Sequence, residues 1–466
     1  MYRKIVKHFR KFLLLLLLIA YYSDISAQDS YTLYYLKNVP QSSRLNASYI
    51  PNFKYYVGFP LLSMWNVGAE NNAFSYHDLI HKRADDSLIF DQNNVLNGLS
   101  KNNLLSFEVH DEILAFGFHV GKRNWLQLGL NQNIIASYGY TSDFLKLILK
   151  GNAQFIGKTI DITGNSLNAT FYHDVSLSFA RKINNNISAG FRVKYLIGIA
   201  NIYSEKSKVT LSTDETTFAL TGVSDVLEHT SYPDSKNLNT SFYGRNHGWA
   251  FDIGAQYQLN DKFSFSASVV DLFGSIKWKE NPRTFQSKNP NSSFSFEGFN
   301  IDSLVRSNAI QQDYMNNFLD SIKNTFDIKE TNQSYTSKIN TKLYLAGFYN
   351  LTPKDIFGVM LRNEFIPNTF KPSVTLSYNR DFGKNFGIAV TYSIHNHTYT
   401  NFGLGLNGNI GPIQLYAISD NLYGLIMPLD TKKTNITFGI NLVFGKSDAK
   451  KAKIRKDPPL FDSMLQ

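Results

Sequence analysis

From Ile187 to Ile197 every second residue is apolar (Ile187, Ala189, Phe191, Val193, Tyr195, Ile197), and those between include Ser188, Gly190, Arg192 and Lys194. Side chains of an extended chain alternate sides, so this segment is a strand whose two faces meet two different solvents. The period returns in Trp249 to Tyr257, Val374 to Tyr378, Ile388 to Ile394, Phe402 to Leu406 and Ile436 to Phe444. A chain that repeats this pattern folds as sheet, either a water-soluble sandwich or a closed transmembrane barrel.

Three features select the barrel. The non-apolar face is built from Ser, Thr, Asn, Gln and Gly, as a wet or plugged interior requires. The apolar face draws on 36 Phe, 27 Tyr and 4 Trp, which suit hydrocarbon and its interfaces. Connections alternate in length: Gly121 to Asn124, Lys182 to Asn186, Asn260 to Lys262, Thr352 to Asp355, Asp381 to Asn385 and Asn407 to Pro412 are tight polar turns, whereas Ser204 to His247 and Leu272 to Ser337 are long loops. With every tight turn on the periplasmic side, about fourteen antiparallel strands run from Lys54–Gly68 to Asn435–Phe444, and both ends of the barrel segment are periplasmic. Pro60 interrupts the first strand, and outward parity slips near His110 to Glu112, where a bulge or a separate short hairpin accounts for the slip.

Residues 1–27 carry Arg3, Lys4, Lys7, Arg10 and Lys11 before the apolar run Phe12 to Ala20 and a small-residue stretch ending at Ala27, the layout of a cleaved signal peptide. Nine apolar residues fall short of the roughly 20 that span a bilayer as a helix. The expected plan is therefore a signal peptide (1–27), an N-terminal periplasmic or plug segment (28–53), the barrel with its loops (54–445) and a basic periplasmic tail (446–466). The formal net charge of +10 invites a nucleic-acid reading. Five basic and one acidic residue lie in 1–27, however, and six basic and three acidic in 446–466, leaving +3 for everything between. That distribution excludes a nucleic-acid footprint, and the complete absence of cysteine excludes disulfides, thiolate chemistry and a lipoprotein anchor. The tail, with Lys450, Lys451, Lys453, Arg455 and Lys456, is a solvated segment or a contact for anionic headgroups or a periplasmic partner.

Ser142 is placed to cap a short helix through Phe144, Leu145, Leu147, Ile148 and Leu149, closed by Gly151. Tyr314, Phe318, Ile322 and Phe326 recur every four residues and give a second apolar helix face, buried on neighbouring loop residues or in the barrel mouth. Chemical motifs fail. Gly157-Lys158-Thr159 lacks the earlier glycine of a phosphate loop, and Gly403, Gly405 and Gly408 lie on a strand with no helix to follow. His395 with His397, and His77 with His81, have spacings that could share a metal, but no third ligand accompanies either pair. No catalytic residue, metal or cofactor is expected. Parity directs Asp174, Arg192, Lys194, Asp252, Arg362 and Glu364 into the lumen, where balanced signs pair with one another or form a polar constriction that screens solutes.

The segments Asn38-Val39-Pro40-Gln41-Ser42-Ser43, Tyr56-Val57-Gly58-Phe59-Pro60-Leu61-Leu62-Ser63 and Phe74-Ser75-Tyr76-His77-Asp78-Leu79-Ile80 resemble the opening of a Bacteroidota outer-membrane barrel family of no established activity. Lys194-Tyr195-Leu196-Ile197-Gly198 and Asn260-Asp261-Lys262-Phe263-Ser264-Phe265 extend the resemblance along the chain. That family is similar in architecture to the fourteen-stranded FadL and PorV barrels, which implies a segment, here Gln28 to Phe53, that tucks into or under the barrel. Three readings stand: a FadL-like passive conduit for small hydrophobic or amphipathic molecules; a PorV-like structural or secretion-associated barrel that binds protein partners; and, third and apart from the resemblance, an outer-membrane enzyme with a polar cluster at its rim. Outer-membrane lipid is a partner in all of them.

Overall fold

The computed structural model describes residues 31–82, 85–86, 88–151, 153–216, 220–233, 245–287, 294–296, 328–366, 369–383, 385–395 and 398–445. The expected signal peptide, the basic tail, the helix face on Tyr314 to Phe326, and His397 lie outside them. Fourteen strands form the wall. They are β1 in two pieces (Tyr55–Gly58 and Trp65–Asn71), β2 (Asn102–Val120), β3 (Asn124–Thr141), β4 (Ser166–Lys182), β5 (Ile187–Thr213), β6 (His247–Gln258) and β7 (Phe263–Trp278). The other half is β8 (Thr341–Asn350), β9 (Asp355–Ile366), β10 (Thr369–Phe382), β11 (Phe386–His395), β12 (Thr398–Ile410), β13 (Ile413–Ser419) and β14 (Lys433–Phe444). Each strand pairs antiparallel with the next, and β14 pairs back onto β1 at Tyr56↔Val443 and Val67↔Ile436, so the sheet closes.

The tight turns follow from their side chains. Asn184 Oδ1 accepts the amides of Asn186 and Ile187, and Asn260 Oδ1 accepts those of Lys262 and Phe263, so each asparagine folds the chain back on itself. Gly121, Gly383 and Gly411 take positive φ (70°, 71° and 61°), which a side chain would resist. Leu128, Leu177, Phe191, Trp249, Phe265 and Leu376 stand exposed on the outer face. That face is a continuous apolar belt, the surface a transmembrane barrel presents to lipid. Among the described residues no helix is long and apolar enough to cross a membrane.

The irregularity expected around Pro60 is a true gap in β1. Proline donates no ladder hydrogen bond, and the chain between Gly58 and Trp65 turns through Leu61 at φ 61°. The neighbouring strand answers with a register shift between Glu112 and Leu114, the bulge that the parity slip called for. Ser63 Oγ donates to the Glu112 carbonyl (2.8 Å) and the Glu112 amide to Met64 O (3.0 Å), carrying the wall across the gap.

Three expectations need correction. The described parts of the long loops at the opposite end are largely β: β5 continues to Thr213, pairs with Leu220–Ser231, and that strand pairs with Pro282–Ser287. Alternation is weak there because one face of the hairpin meets water, with Lys206 and Lys208 exposed, and the other packs only Val209 and Leu211 on a small cluster with Phe155, Ile160 and Ile162. The helix Ser142–Lys150 is capped by Thr141 rather than Ser142, with Thr141 Oγ1 accepting from the Phe144 amide (3.3 Å); Gly151 closes it at φ 72°. His77 and His81 share no helix, since the turn Tyr76–Leu79 ends before Ile80–Lys82 begins; His77 pairs with Asp430 instead.

Candidate functional site

Residues 31–53 lie inside the wall as a plug: they start beside Asp420 at the loop end, descend through the 3-10 turn Thr32–Tyr35 to Asp381 at the turn end, fold back into the barrel at the 3-10 turn Pro40–Arg44, and then leave at the turn end. Most of this plug is buried, with Val39 and Gln41 wholly so. On the β8–β13 side it packs into an apolar cluster: Tyr31, Leu33, Tyr34, Tyr35, Leu36 and Val39 meet Tyr344, Phe348, Met360, Ala389, Tyr416 and Ile418. The Tyr34 ring stacks on Tyr344 at 5.5 Å, and Tyr35 meets Phe348 edge-on at 6.0 Å. Asp420 grips the start of the plug, its two carboxylate oxygens accepting the amides of Tyr31 (3.1 Å) and Thr32 (2.8 Å).

The β2–β7 side, with Asn441 of β14, holds the plug mainly by polar contacts. Gln41 donates to Glu112 (2.7 Å) and to Asn441 (2.9 Å), Ser43 to Gln127 (2.9 Å), and Arg44 to Asn131 (2.6 Å). The wall is cut to receive it. A Cβ on Gly190 would collide with the Ala47 carbonyl, one on Gly254 with Asn46, and ones on Gly403 and Gly405 with Thr32 and Leu36. Of the strand glycines that failed as a nucleotide motif, Gly403 and Gly405 thus belong to the floor on which the plug lies, whereas Gly408 does not touch it.

Five of the six lumen candidates are buried, Lys194 is half-buried, and the six divide into two groups. Lys194 Nζ lies 2.9 Å from Asp252 and 2.8 Å from Asp271, and Arg192 approaches Asp252 at 3.6 Å while donating to Ser43 of the plug (3.1 Å). Asp174, close by, accepts from Asn131 and Asn133, each at 2.8 Å. Arg362 and Glu364 are on the other wall, 3.0 Å apart, with Arg362 over the rings of Tyr31 and Tyr344. Between plug and wall remains a cavity of about 70 Å³ that takes in Asp174, Arg192 and Lys194 but not the Arg362–Glu364 pair. Its lining mixes apolar Leu33, Leu45, Met64 and Val270 with charged Arg44, Glu112, Asp271 and Lys342.

A family pattern matches residues 48–420, the whole barrel short of its last strand. The chain belongs to DUF5723, a family of unknown function. No curated protein matches it significantly. Among solved structures this DUF5723 barrel is similar to the deltaS2S3 mutant of the TodX monoaromatic hydrocarbon channel, with 8% identity over 87% of this chain and 95% of that one and a TM-score of 0.43. It is also similar to a Pseudomonas aeruginosa FadL homologue, with 9% identity, 88% and 95% coverage and a TM-score of 0.40. The Ralstonia pickettii toluene transporter TbuX gives 8%, 87% and 94%, and 0.33. At such identities the likeness is one of barrel form and leaves the ligand of this DUF5723 chain open.

Sequence reasoning missed Arg44, Glu112, Asp271, Lys342 and the aromatic wall on β8. Asp271 was taken as the end of a strand that runs on to Trp278. For β8 a signal was present: Leu343-Tyr344-Leu345-Ala346-Gly347-Phe348-Tyr349 is apolar on both faces, the mark of a strand covered on both sides. His395 and His397 give no test of a metal pair, because the side chain of the first and all of the second lie outside the described residues. Among the described residues no group of three or more metal-ligating side chains occurs.

Proposed function

We propose that this protein is an outer-membrane barrel that passes small hydrophobic or amphipathic molecules passively, through a lumen gated by its own N-terminal segment. In this reading residues 1–27 are removed on export, the tight turns face the periplasm and residues 446–466 are a basic periplasmic tail. One observation carries it: the lumen is filled by residues 31–53, held only by non-covalent contacts, rather than by side chains of the wall. The cavity beside the plug offers both apolar and charged surface, as an amphipathic solute requires. At about 70 Å³ it admits only a few water molecules, so passage needs the plug to move.

The absence of cysteine makes a clean test available. Thr32 Oγ1 and Thr391 Oγ1 are 2.7 Å apart, so the double variant Thr32→Cys, Thr391→Cys can tie plug to wall. In proteoliposomes loaded by an amphipathic fluorescent probe, the oxidised variant is expected to lose uptake and the reduced variant to regain the wild-type rate. Equal uptake in both redox states, with the cross-link verified, would refute gating by the plug.

A second reading, a barrel that docks a periplasmic partner, draws on the cavity at the turn end. It measures about 970 Å³ and is lined by Lys37, Lys54, Lys122, Lys182 and His119, with no carboxylate among its lining residues. Such a mouth favours an anionic partner. Salt-sensitive co-purification that Lys122→Glu abolishes would support this reading over the first.

A further inference from the structure

The wall has fourteen strands at the turn end but not at the loop end. β13 pairs with β12 only from Leu404↔Ser419 to Ile410↔Ile413, and with β14 only from Ile413↔Leu442 to Ile418↔Thr437. Beyond those pairs, Thr398 to Gly403 of β12 and Lys433 to Ile436 of β14 have no strand between them. The short helix Leu422–Ile426 packs against both strands and occupies the missing place. It is held to β14 by side chains instead of a ladder: Asn421 Nδ2 donates to Lys433 O (3.0 Å) and Thr434 Oγ1 to Gly424 O (3.0 Å). Gly424 lies so close that a Cβ there would collide with the Lys433 carbonyl.

β13 has seven residues. At ~3.3 Å per residue and a tilt of ~40°, such a strand crosses only ~18 Å of the ~25 Å apolar band of an outer-membrane barrel. The helix and the turn after it supply apolar surface at that level: Tyr423, Leu425, Ile426, Met427 and Leu429 are all exposed, Ile426 by 66%. Phe402, exposed on the unpartnered part of β12, joins this patch to the outer belt. The neighbouring loop is tied in through His77, whose amide donates to Leu429 O (3.0 Å) and whose ring pairs with Asp430.

We infer that the loop segment Tyr423 to Leu429 is seated among the acyl chains of the outer leaflet, completing the membrane belt where β13 stops short. Its occupant is lipid, because the patch is continuous with the lipid-facing wall and lies outside the lumen. This placement does not depend on what the lumen carries.

The cysteine-free chain permits a direct test with single nitroxide labels on Ile426→Cys, Phe402→Cys and Asn260→Cys, each in the full-length barrel reconstituted in phospholipid vesicles. Collision of the label with dissolved oxygen, relative to a water-soluble nickel chelate, reports immersion. The label at 426 is expected to match that at 402 and to exceed that at 260 about fivefold, as for a side chain below the headgroups. A ratio at 426 equal to that at 260 would overturn the inference, as would shielding from both reagents, which marks a protein contact. A barrel that fails to refold with the 426 label is replaced by Leu425→Cys, read against the same two references.

Discussion

Against β2–β7 the plug meets Gln127, Asn131, Arg192 and Gln256 mainly through hydrogen bonds; against β8–β13 it adds to the hydrogen bonds of Thr32 with Thr391, Tyr35 with Thr375 and Asn38 with Asp381 a large packed face on Tyr344, Phe348, Met360 and Ile418. A hydrogen bond between neutral groups contributes about 1 kcal/mol net, whereas a buried aromatic side chain contributes several. The packed wall therefore decides whether the plug is docked, and the polar wall decides its register. The two walls also differ in height. β2 to β5 have 19, 18, 17 and 27 residues and rise beyond the belt, while β8 to β13 have between 7 and 14 and end near it.

The largest effect is expected from the ion group of the polar wall. Lys194→Met leaves Asp252 and Asp271 buried without their shared ammonium, and breaking a buried pair from one side costs about 3–5 kcal/mol. Urea unfolding of the refolded barrel in micelles is expected to shift to lower urea by that amount. A shift as small as a surface substitution gives would mean that water already solvates these carboxylates.

Two further variants set the walls against each other, read by how fast a water-soluble maleimide labels a cysteine placed at buried Ser42. Phe348→Ala removes the contacts with Tyr35 and Lys37 and is expected to weaken docking by about 3 kcal/mol, or about a hundredfold in labelling rate. Gln127→Ala removes the acceptor of Ser43 and is expected to cost about 1 kcal/mol, or about fivefold. The reverse order would break the division between a wall that docks and a wall that aligns.

The smallest effect is one of pH. Lys37 is half-buried at the rim of the turn-end cavity, over the Phe348 ring, and this desolvation lowers its ammonium to about 8, below the ordinary lysine value of about 10.4. The docked plug thus binds this proton more weakly than the released one, and docking strengthens as pH rises from about 8 toward 10. The labelling rate of Ser42→Cys relative to the same variant carrying Lys37→Met is expected to fall between pH 7 and 9.5. The ratio cancels the pH dependence of the thiol itself, and an unchanged ratio would place Lys37 in water.

The strands were legible because lipid and lumen write different residues on alternate positions, and the last strand ends at Phe444, where alternation put its end. Legibility failed wherever the two faces did not meet lipid and lumen. Beyond the belt, Lys206 to Thr213 turns Lys206 and Lys208 to water and packs only Val209 and Leu211 on the small cluster of Phe155, Ile160 and Ile162, and it was read as loop. On β8, protein covers one face and lipid the other, so both are apolar and no parity shows that Tyr344 and Phe348 turn inward. Parity pointed Asp174, Arg192, Lys194, Asp252, Arg362 and Glu364 inward but gave no partners: Asp271, which pairs with Lys194, comes from a strand two positions away, and Ser43, which Arg192 reaches, from a segment with no period.

The account rests on the plug being what closes the barrel, and conductance in planar bilayers tests this most directly. A variant lacking residues 31–49, shown to be folded by its altered gel mobility on heating, is expected to give stable ohmic steps where the intact chain is silent. A folded deletion variant as silent as the intact chain would contradict the account, since the wall alone would then close the lumen.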